Sequence, residues 1–243
     1  MENGEDTTGA TTAANARWFS REDAFRYLDV DADNRERVRL LLSGLADGTS
    51  RGRLLDVGCG DGRIAERIAR LGYEVTGLDA SRENAELART RGIDALVGDA
   101  ADALRFADGA FATVVAGEIV EHLVDAQSFL REAARVLAPG GRLVVTTPNL
   151  AHLPDRLRFV LGKAPMQTQP LHPFLKLHIR PFAPDTLRAS LVEAGFAVDR
   201  IESTMVVFAR DPRDEDRVRL KSRTIARLFP SLGSTLIAWA RKR

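Results

Sequence analysis

Cysteine is nearly absent from this chain. Cys59 stands alone among 243 residues, so no internal disulfide can form, and the usage fits a reducing compartment. An excess of one charge is missing too: 35 Lys and Arg stand against 34 Asp and Glu, a formal net charge of +1. That balance excludes a global field committing the chain to nucleic acid or anionic lipid. No run approaches the roughly eighteen consecutive apolar residues that a membrane-crossing helix needs. The opening MENGEDTTGATTAANAR carries Glu2, Glu5 and Asp6 where an export signal has a basic start and an apolar middle. These absences predict a cytoplasmic chain whose residues 1–16 form a disordered tail.

What is present is ordered punctuation. Trp18, Phe19, Phe25 and Tyr27, then Val38, Leu41, Leu42 and Leu45, recur at helical spacing, which predicts an N-terminal helical cover over 17–48. Short β-branched runs then alternate with amphipathic stretches: LLDV before Gly58, EVTGLD to Asp79, ALVGD to Asp99, FATVVA from Phe111 and RLVVTT from Arg142. Such alternation predicts an α/β fold, a mostly parallel sheet with helices on both faces. Ser81 and Asp125 stand where helix N-caps belong, and Gly92 where a helix ends. Between 150 and 183 the alternation breaks, with Pro154, Pro165, Pro170 and Pro173 among His152, His172 and His178. This stretch reads as a substrate-covering insertion within a single domain over 17–243. A helix from Pro184 and the strands FAVDRIES and STLIAWARKR follow, with an antiparallel edge expected from the last two strands. The mixed charges from Arg210 to Arg227 read as a solvated connector. The apolar LFPSLGSTLIAWARKR suits either a buried last strand or peripheral contact with a membrane surface.

The segment Leu54–Gly62 runs an apolar strand into Gly58, Gly60 and Gly62, and a helical pattern follows. Glycine there lets the backbone approach a nucleotide-like ligand, and the helix start offers unpaired N–H groups. A dinucleotide loop wants a small residue three beyond Gly60, where Arg63 stands, which argues against a nicotinamide oxidoreductase. Asp56 at the loop entry repels phosphate and suits a cationic ammonium group. Asp79, about twenty residues on, is placed for two ribose hydroxyls, and Asp99 with the Ala100 N–H for an adenine. Amino acid, ribose and purine amine together describe S-adenosylmethionine.

After strand four comes Gly117-Glu118-Ile119-Val120-Glu121-His122. On a helix Glu118, Glu121 and His122 stand at i, i+3 and i+4, one face on which two carboxylates and an imidazole converge. They can bind Mg²⁺, Mn²⁺, Fe²⁺ or Zn²⁺, or His122 with Glu121 can serve as a catalytic base without metal.

In LLDVGCGDG, GLDAS, GDAADALRF, FATVVAGEIVEHLVD and EAARVLAPGGRLVVTTPN, taken in order, the chain resembles the class I S-adenosylmethionine-dependent methyltransferases. The resemblance covers about Arg53 to Asn149. It implies a Rossmann-like seven-stranded sheet with the last strand antiparallel. It also implies a cofactor cradle in which Asp56, Gly58, Cys59, Gly60 and Gly62 face the methionine part, Asp79 and Ala80 the ribose, Asp99 and Ala100 the adenine, with Gly117 and Glu118 beside them. The seat of Cys59 in a glycine loop speaks for close packing rather than nucleophilic chemistry.

E-x-x-E-H followed by a later His resembles the ubiquinone-biosynthesis O-methyltransferases and the small-RNA 3′-terminal 2′-O-methyltransferases, in which a metal holds the accepting hydroxyl. The resemblance implies His178 as a fourth ligand beside Glu118, Glu121 and His122, although His178 can equally bond a carbonyl within the insertion. His152 and His172 read as packing or surface residues, and Asn149 as a hydrogen-bonding partner for the acceptor. The expected reaction is methyl transfer from S-adenosylmethionine to oxygen on a small-molecule or lipid-like acceptor. An RNA 3′ end is the alternative acceptor, disfavoured by the near-zero charge. A non-catalytic partner subunit is a further alternative, against which the intact Asp56, Asp79 and Glu118 count. Acceptor identity and oligomeric state stay open.

Overall fold

A computed structural model describes residues 31–48, 51–169, 177–211 and 214–243. The expected tail, the start of the expected cover with Trp18, Phe19, Phe25 and Tyr27, and His172 lie outside the described residues. In chain order the elements are α1 (Ala32–Ala46), β1 (Arg53–Val57), α2 (Arg63–Ala69), β2 (Glu74–Asp79), α3 (Arg82–Thr90), β3 (Asp94–Val97) and β4 (Phe111–Gly117). There follow α4 (Ala126–Val136), β5 (Leu137–Pro148), α5 (Leu153–Val160), α6 (Pro184–Glu193), β6 (Phe196–Ser203), β7 (Val206–Asp211), β8 (Asp214–Ser222), α7 (Arg223–Leu228) and β9 (Thr235–Lys242).

The caps explain where the helices begin. Asp31 accepts from the N–H groups of Asp33 and Asn34 at α1, Ser81 from that of Asn84 at α3, and Asp125 from that of Ser128 at α4. The strands are apolar on both faces because both faces are covered. On one side Phe129, Leu130, Ala133 and Val136 of α4 and Leu187 and Leu191 of α6 pack on the sheet. On the other, Leu41 and Leu45 of α1, Ala65 and Ile68 of α2, and Ala85 and Ala88 of α3 do so. Each fully buried Leu or Ile contributes about 1.5–3 kcal/mol by leaving water.

The main sheet has seven strands in the order β3-β2-β1-β4-β5-β9-β6. Neighbours from β3 through β5 pair in parallel, while β9 runs antiparallel to both β5 and β6. The order reverses between β1 and β4, so the connections leave in opposite directions and a crevice opens at the carboxyl ends of those strands. The loops after β1, β2, β3 and β4 all reach it.

Four details depart from the sequence-based expectations. β3 stops at Val97, so Asp99 lies in the loop beyond the strand. β5 is taken up at Leu137, ahead of Pro139-Gly140-Gly141. The charged connector is an antiparallel hairpin, β7 on β8, pairing Val206 with Ser222 and Val207 with Lys221, and it leads into α7. The C-terminal apolar run opens with the exposed Leu228 and Phe229 and ends in β9, whose Thr235–Ala240 are buried between β5 and β6, so those strand residues are closed to a membrane. Among the described residues no helix is long and apolar enough to cross a membrane.

Candidate active site

At the carboxyl end of β1, Asp56 is 4% exposed. Burial pushes its carboxyl up to about 7; the neighbouring Asp79 charge adds to the rise and Arg37 opposes it. The chain then turns through Gly58 (φ 72), Gly60 (φ 54) and Gly62 (φ 81), all in the left-handed region that glycine enters without strain. The loop is tied to β2: Gly58 N–H and Cys59 N–H donate to the Leu78 carbonyl at 2.7 and 3.1 Å, and Gly60 N–H donates to Asp79 Oδ2 at 2.8 Å. Asp79 Oδ1 accepts from Ser81 N–H at 2.9 Å and from Asn84 Nδ2 at 3.2 Å. Asp79 therefore braces the loop, and burial holds its own carboxyl above the usual range. Asp99 Oδ1 accepts from Ala101 N–H at 2.9 Å, which fixes the turn carrying Ala100.

Cys59 packs against Gly77, where an added Cβ would come within 2.8 Å of its sulfur. Burial raises the thiol far above its ordinary value, so it stays protonated and does not act as a nucleophile. A Cβ on Gly58 would lie 2.1 Å from Ile119 Cδ1. The loop after β4 thus folds down onto the loop after β1.

The helical turn expected from Glu118 to His122 does not form. Glu118 takes a left-handed conformation (φ 58), and only Val120–His122 make a single 3₁₀ turn. The two carboxylates are held by successive, oppositely directed residues of β5: Thr146 Oγ1 donates to Glu118 Oε1 at 2.9 Å, and Thr147 Oγ1 to Glu121 Oε2 at 3.1 Å. Glu118 faces Arg37, whose Nε lies 4.0 Å from its Oε1. Glu121 is 1% exposed, and its Oε1 accepts no hydrogen bond from a described residue. Burial, reinforced by the Glu118 charge, holds the Glu121 carboxyl well above its usual range.

His122 Nε2 lies 4.0 Å from Glu121 Oε1, while its Nδ1 meets the Leu177 carbonyl at 3.0 Å. A carbonyl only accepts, so the ring proton sits on Nδ1 and Nε2 carries the lone pair. Burial pushes the imidazole down to about 4 against the opposing pull of that carbonyl, which keeps it neutral near pH 7. The insertion completes the group. Ile179 and Arg180 N–H both donate to the Glu121 carbonyl, at 2.9 and 3.0 Å, and bring the His178 ring edge-on to His122 with centroids 4.9 Å apart. One ligand atom each from Glu121, His122 and His178 fall within 4.8 Å of one another. Glu118 is not among them, because its left-handed backbone turns it toward Arg37 and Thr146. A carboxylate and two imidazoles, with a buried carboxylate oxygen that takes no hydrogen bond among the described residues, fit a divalent cation. The set suits Mn²⁺, Fe²⁺ or Zn²⁺ better than Mg²⁺, which prefers oxygen donors.

Sequence reasoning missed Arg37, Thr146, Thr147 and Gln167. Arg37 is 2% exposed and donates from Nη1 to Thr146 Oγ1 at 3.3 Å. Its signal was its place four and eight residues before Leu41 and Leu45, a cation on an apolar helix face. Asn149 Nδ2 donates to the carbonyls of Ser231 and Gly233, at 3.0 and 2.7 Å, and so ties the end of β5 to the segment before β9. His152 accepts from Val207 N–H at 3.1 Å and packs as expected.

Known proteins bear on this geometry. A family model described as a methyltransferase domain matches residues 55–145. A solved structure from Thermotoga maritima, a SAM-dependent methyltransferase described as a possible histamine N-methyltransferase, superposes with a TM-score of 0.67. The two are 21% identical over 95% of this chain and 99% of that one, a likeness of fold. A ubiquinone biosynthesis O-methyltransferase of Caulobacter sp. is 40% identical over 195 residues, 74% of this chain and 68% of the relative. One of Caulobacter vibrioides is 36% identical over 187 residues, 71% of this chain and 66% of the relative. The chain therefore spans about two thirds of those relatives' length. Sheet order, glycine loop and kinship together place the chain among the S-adenosylmethionine-dependent methyltransferases, in the family of the ubiquinone biosynthesis O-methyltransferases.

Proposed function

We propose that this enzyme transfers the S-adenosylmethionine methyl group to a hydroxyl of a small, lipid-like acceptor, and that Glu121, His122 and His178 hold a divalent cation beside that hydroxyl. The observation that carries the reading is the convergence of these three groups, drawn from the loop after β4 and from the insertion, around a buried carboxylate oxygen that takes no hydrogen bond among the described residues. The relatives' names support a ubiquinone-type acceptor over an RNA end.

S-adenosylmethionine supplies a methyl on a sulfonium, and a cation lowers the pKa of a neighbouring hydroxyl and stabilises its oxyanion. The rest falls to the chain. Asp56 takes the ammonium of the amino-acid tail, and Arg37 meets its carboxylate. Asp79, held by Gly60, Ser81 and Asn84, accepts from the ribose, and the turn after Asp99 borders the adenine. Glu118 stays with Arg37 on the cofactor side. His122, kept neutral near pH 7 by burial, would serve as a ligand, and the hydroxyl proton would pass to solvent as the O–C bond forms and the S–C bond breaks. Fixed positions for acceptor and methyl donor reduce the barrier by alignment.

The exposed apolar residues of the insertion, Phe159 (72% exposed), Val160 (82%) and Leu161 (73%), support a lipid-like acceptor and a peripheral bilayer contact at α5. The test is labelled methyl transfer to a catechol-type hydroxyl. Chelator should abolish turnover, Mn²⁺ or Zn²⁺ should restore it, and NMR of the product should show an O-methyl group. Full activity in excess chelator refutes the cation role. Phe159→Ser should slow transfer to acceptor held in anionic vesicles while sparing a water-soluble one; equal rates in both contradict the bilayer contact.

A further inference from the structure

Each of the three converging groups is also anchored by a hydrogen bond at one of its polar atoms. Thr147 Oγ1 holds Glu121 Oε2, the Leu177 carbonyl holds His122 Nδ1, and Gln167 Oε1 lies 3.0 Å from His178 Nδ1. Unlike the Leu177 carbonyl that holds the other imidazole, the third anchor is a side chain, which substitution can remove. Gln167 sits half-buried in the single 3₁₀ turn Met166–Thr168 of the insertion. That turn is itself fixed: Met166 N–H donates to Asp155 Oδ1 at 2.9 Å, Asp155 is 2% exposed, and Thr168 donates to the Pro165 carbonyl through both N–H and Oγ1, at 3.2 and 2.9 Å.

We propose that Gln167 is a positioning residue for the cation site: by accepting the His178 Nδ1 proton it fixes ring rotation and tautomer, leaving Nε2 as the lone-pair nitrogen offered to the ion. The inference rests on the cation reading and adds a residue to it. An imidazole without such a partner divides its proton between two nitrogens and turns about its side-chain bonds, so the ligating form has to be selected at each binding event. A carbonyl at Nδ1 makes that selection in advance and raises the basicity of Nε2. The chain so formed, Asp155 to the Met166 N–H, then Gln167 to His178, makes the cation site depend on the fold of the insertion that carries the exposed α5.

Two readouts test it. In metal-free native protein, long-range ¹H–¹⁵N correlation of the His178 ring should show the proton on Nδ1; a proton on Nε2 overturns the assignment. Calorimetric titration with Mn²⁺ should show Gln167→Leu binding about 10–100-fold more weakly than native, the usual loss when such a partner is removed. Gln167→Glu, which keeps an acceptor, should restore native affinity, and S-adenosylmethionine affinity should be unchanged in both. Should Gln167→Leu fail to fold, Gln167→Asn, whose shorter arm falls short of His178, takes its place with the same expected loss. Equal Mn²⁺ affinity in native and variant overturns the role of Gln167 and leaves the cation site standing. No Mn²⁺ binding by the native protein overturns the cation reading and this inference with it.

Discussion

Among single residues, Asp56 carries the sharpest conflict between stability and binding. Its carboxyl holds a proton up to about 7 in the folded chain, because burial and the Asp79 charge disfavour the ionised form, whereas the unfolded chain releases it near the ordinary value of 3.8. Folding therefore takes up a proton between those values, and stability falls as pH rises through that window. Asp56→Asn removes this penalty. The ligand-free variant should melt higher than native at about pH 8, by roughly 2–4 °C for each kcal/mol relieved. It should also bind S-adenosylmethionine about 10–100-fold more weakly, the scale of a lost hydrogen bond to a charged group. A native-like midpoint contradicts the burial penalty on the Asp56 carboxyl, and native affinity by calorimetry contradicts the placement of the ligand's ammonium there. Asp56, Glu121 and His122 were legible in the sequence because their neighbours in the chain mark them: a glycine loop or the end of an apolar run. Arg37 and Thr146 were not, since they meet across 109 positions and only the folded sheet joins them. The helical spacing expected at Glu118 fails for a local reason, a left-handed backbone that periodicity does not reveal.

The elements themselves were more legible than their pairings. Ser81 and Asp125 cap α3 and α4 as their positions predicted, and α6 spans the expected Pro184–Glu193. The charged strand β8 escaped notice because a hairpin outside the main sheet needs no apolar alternation to form its backbone ladder. One packing detail separates two glycines with identical φ of 81: a Cβ at Gly62 would lie 2.8 Å from Ala88 Cα in α3, while at Gly92 nothing lies within 4 Å. Both Gly→Ala variants pay the left-handed strain, about 1–2 kcal/mol. Gly62→Ala must in addition displace α3, so denaturant titration should show it the less stable of the two and weakened toward S-adenosylmethionine. Equal stability contradicts the claim that Gly62 sets the approach of the cofactor loop to α3.

Across the whole molecule, the fold is a doubly wound sheet whose crevice collects loops from successive strands. The parallel half was readable from strand–helix alternation between Arg53 and Asn149. The place of β9 between β5 and β6 was not, because the pairings of Val144 with Trp239 and of Val198 with Ala240 join the last strand to earlier ones with no local signal. The same topology decides what the apolar residues of β9 do: they complete the sheet, and exposed apolar side chains are left at α5 and at Leu228 and Phe229. It also decides how Glu121, His122 and His178 come together, since the first two lie in the loop after β4 and the third in the insertion, joined by backbone hydrogen bonds to the Glu121 carbonyl. The most direct measurement is anomalous diffraction from crystals grown with Mn²⁺ and the demethylated cofactor. The account predicts a peak bounded by Glu121, His122 and His178, with Glu118 turned to Arg37 and the cofactor in the crevice above β1 and β2. No peak at that position, with the cofactor bound, would contradict it.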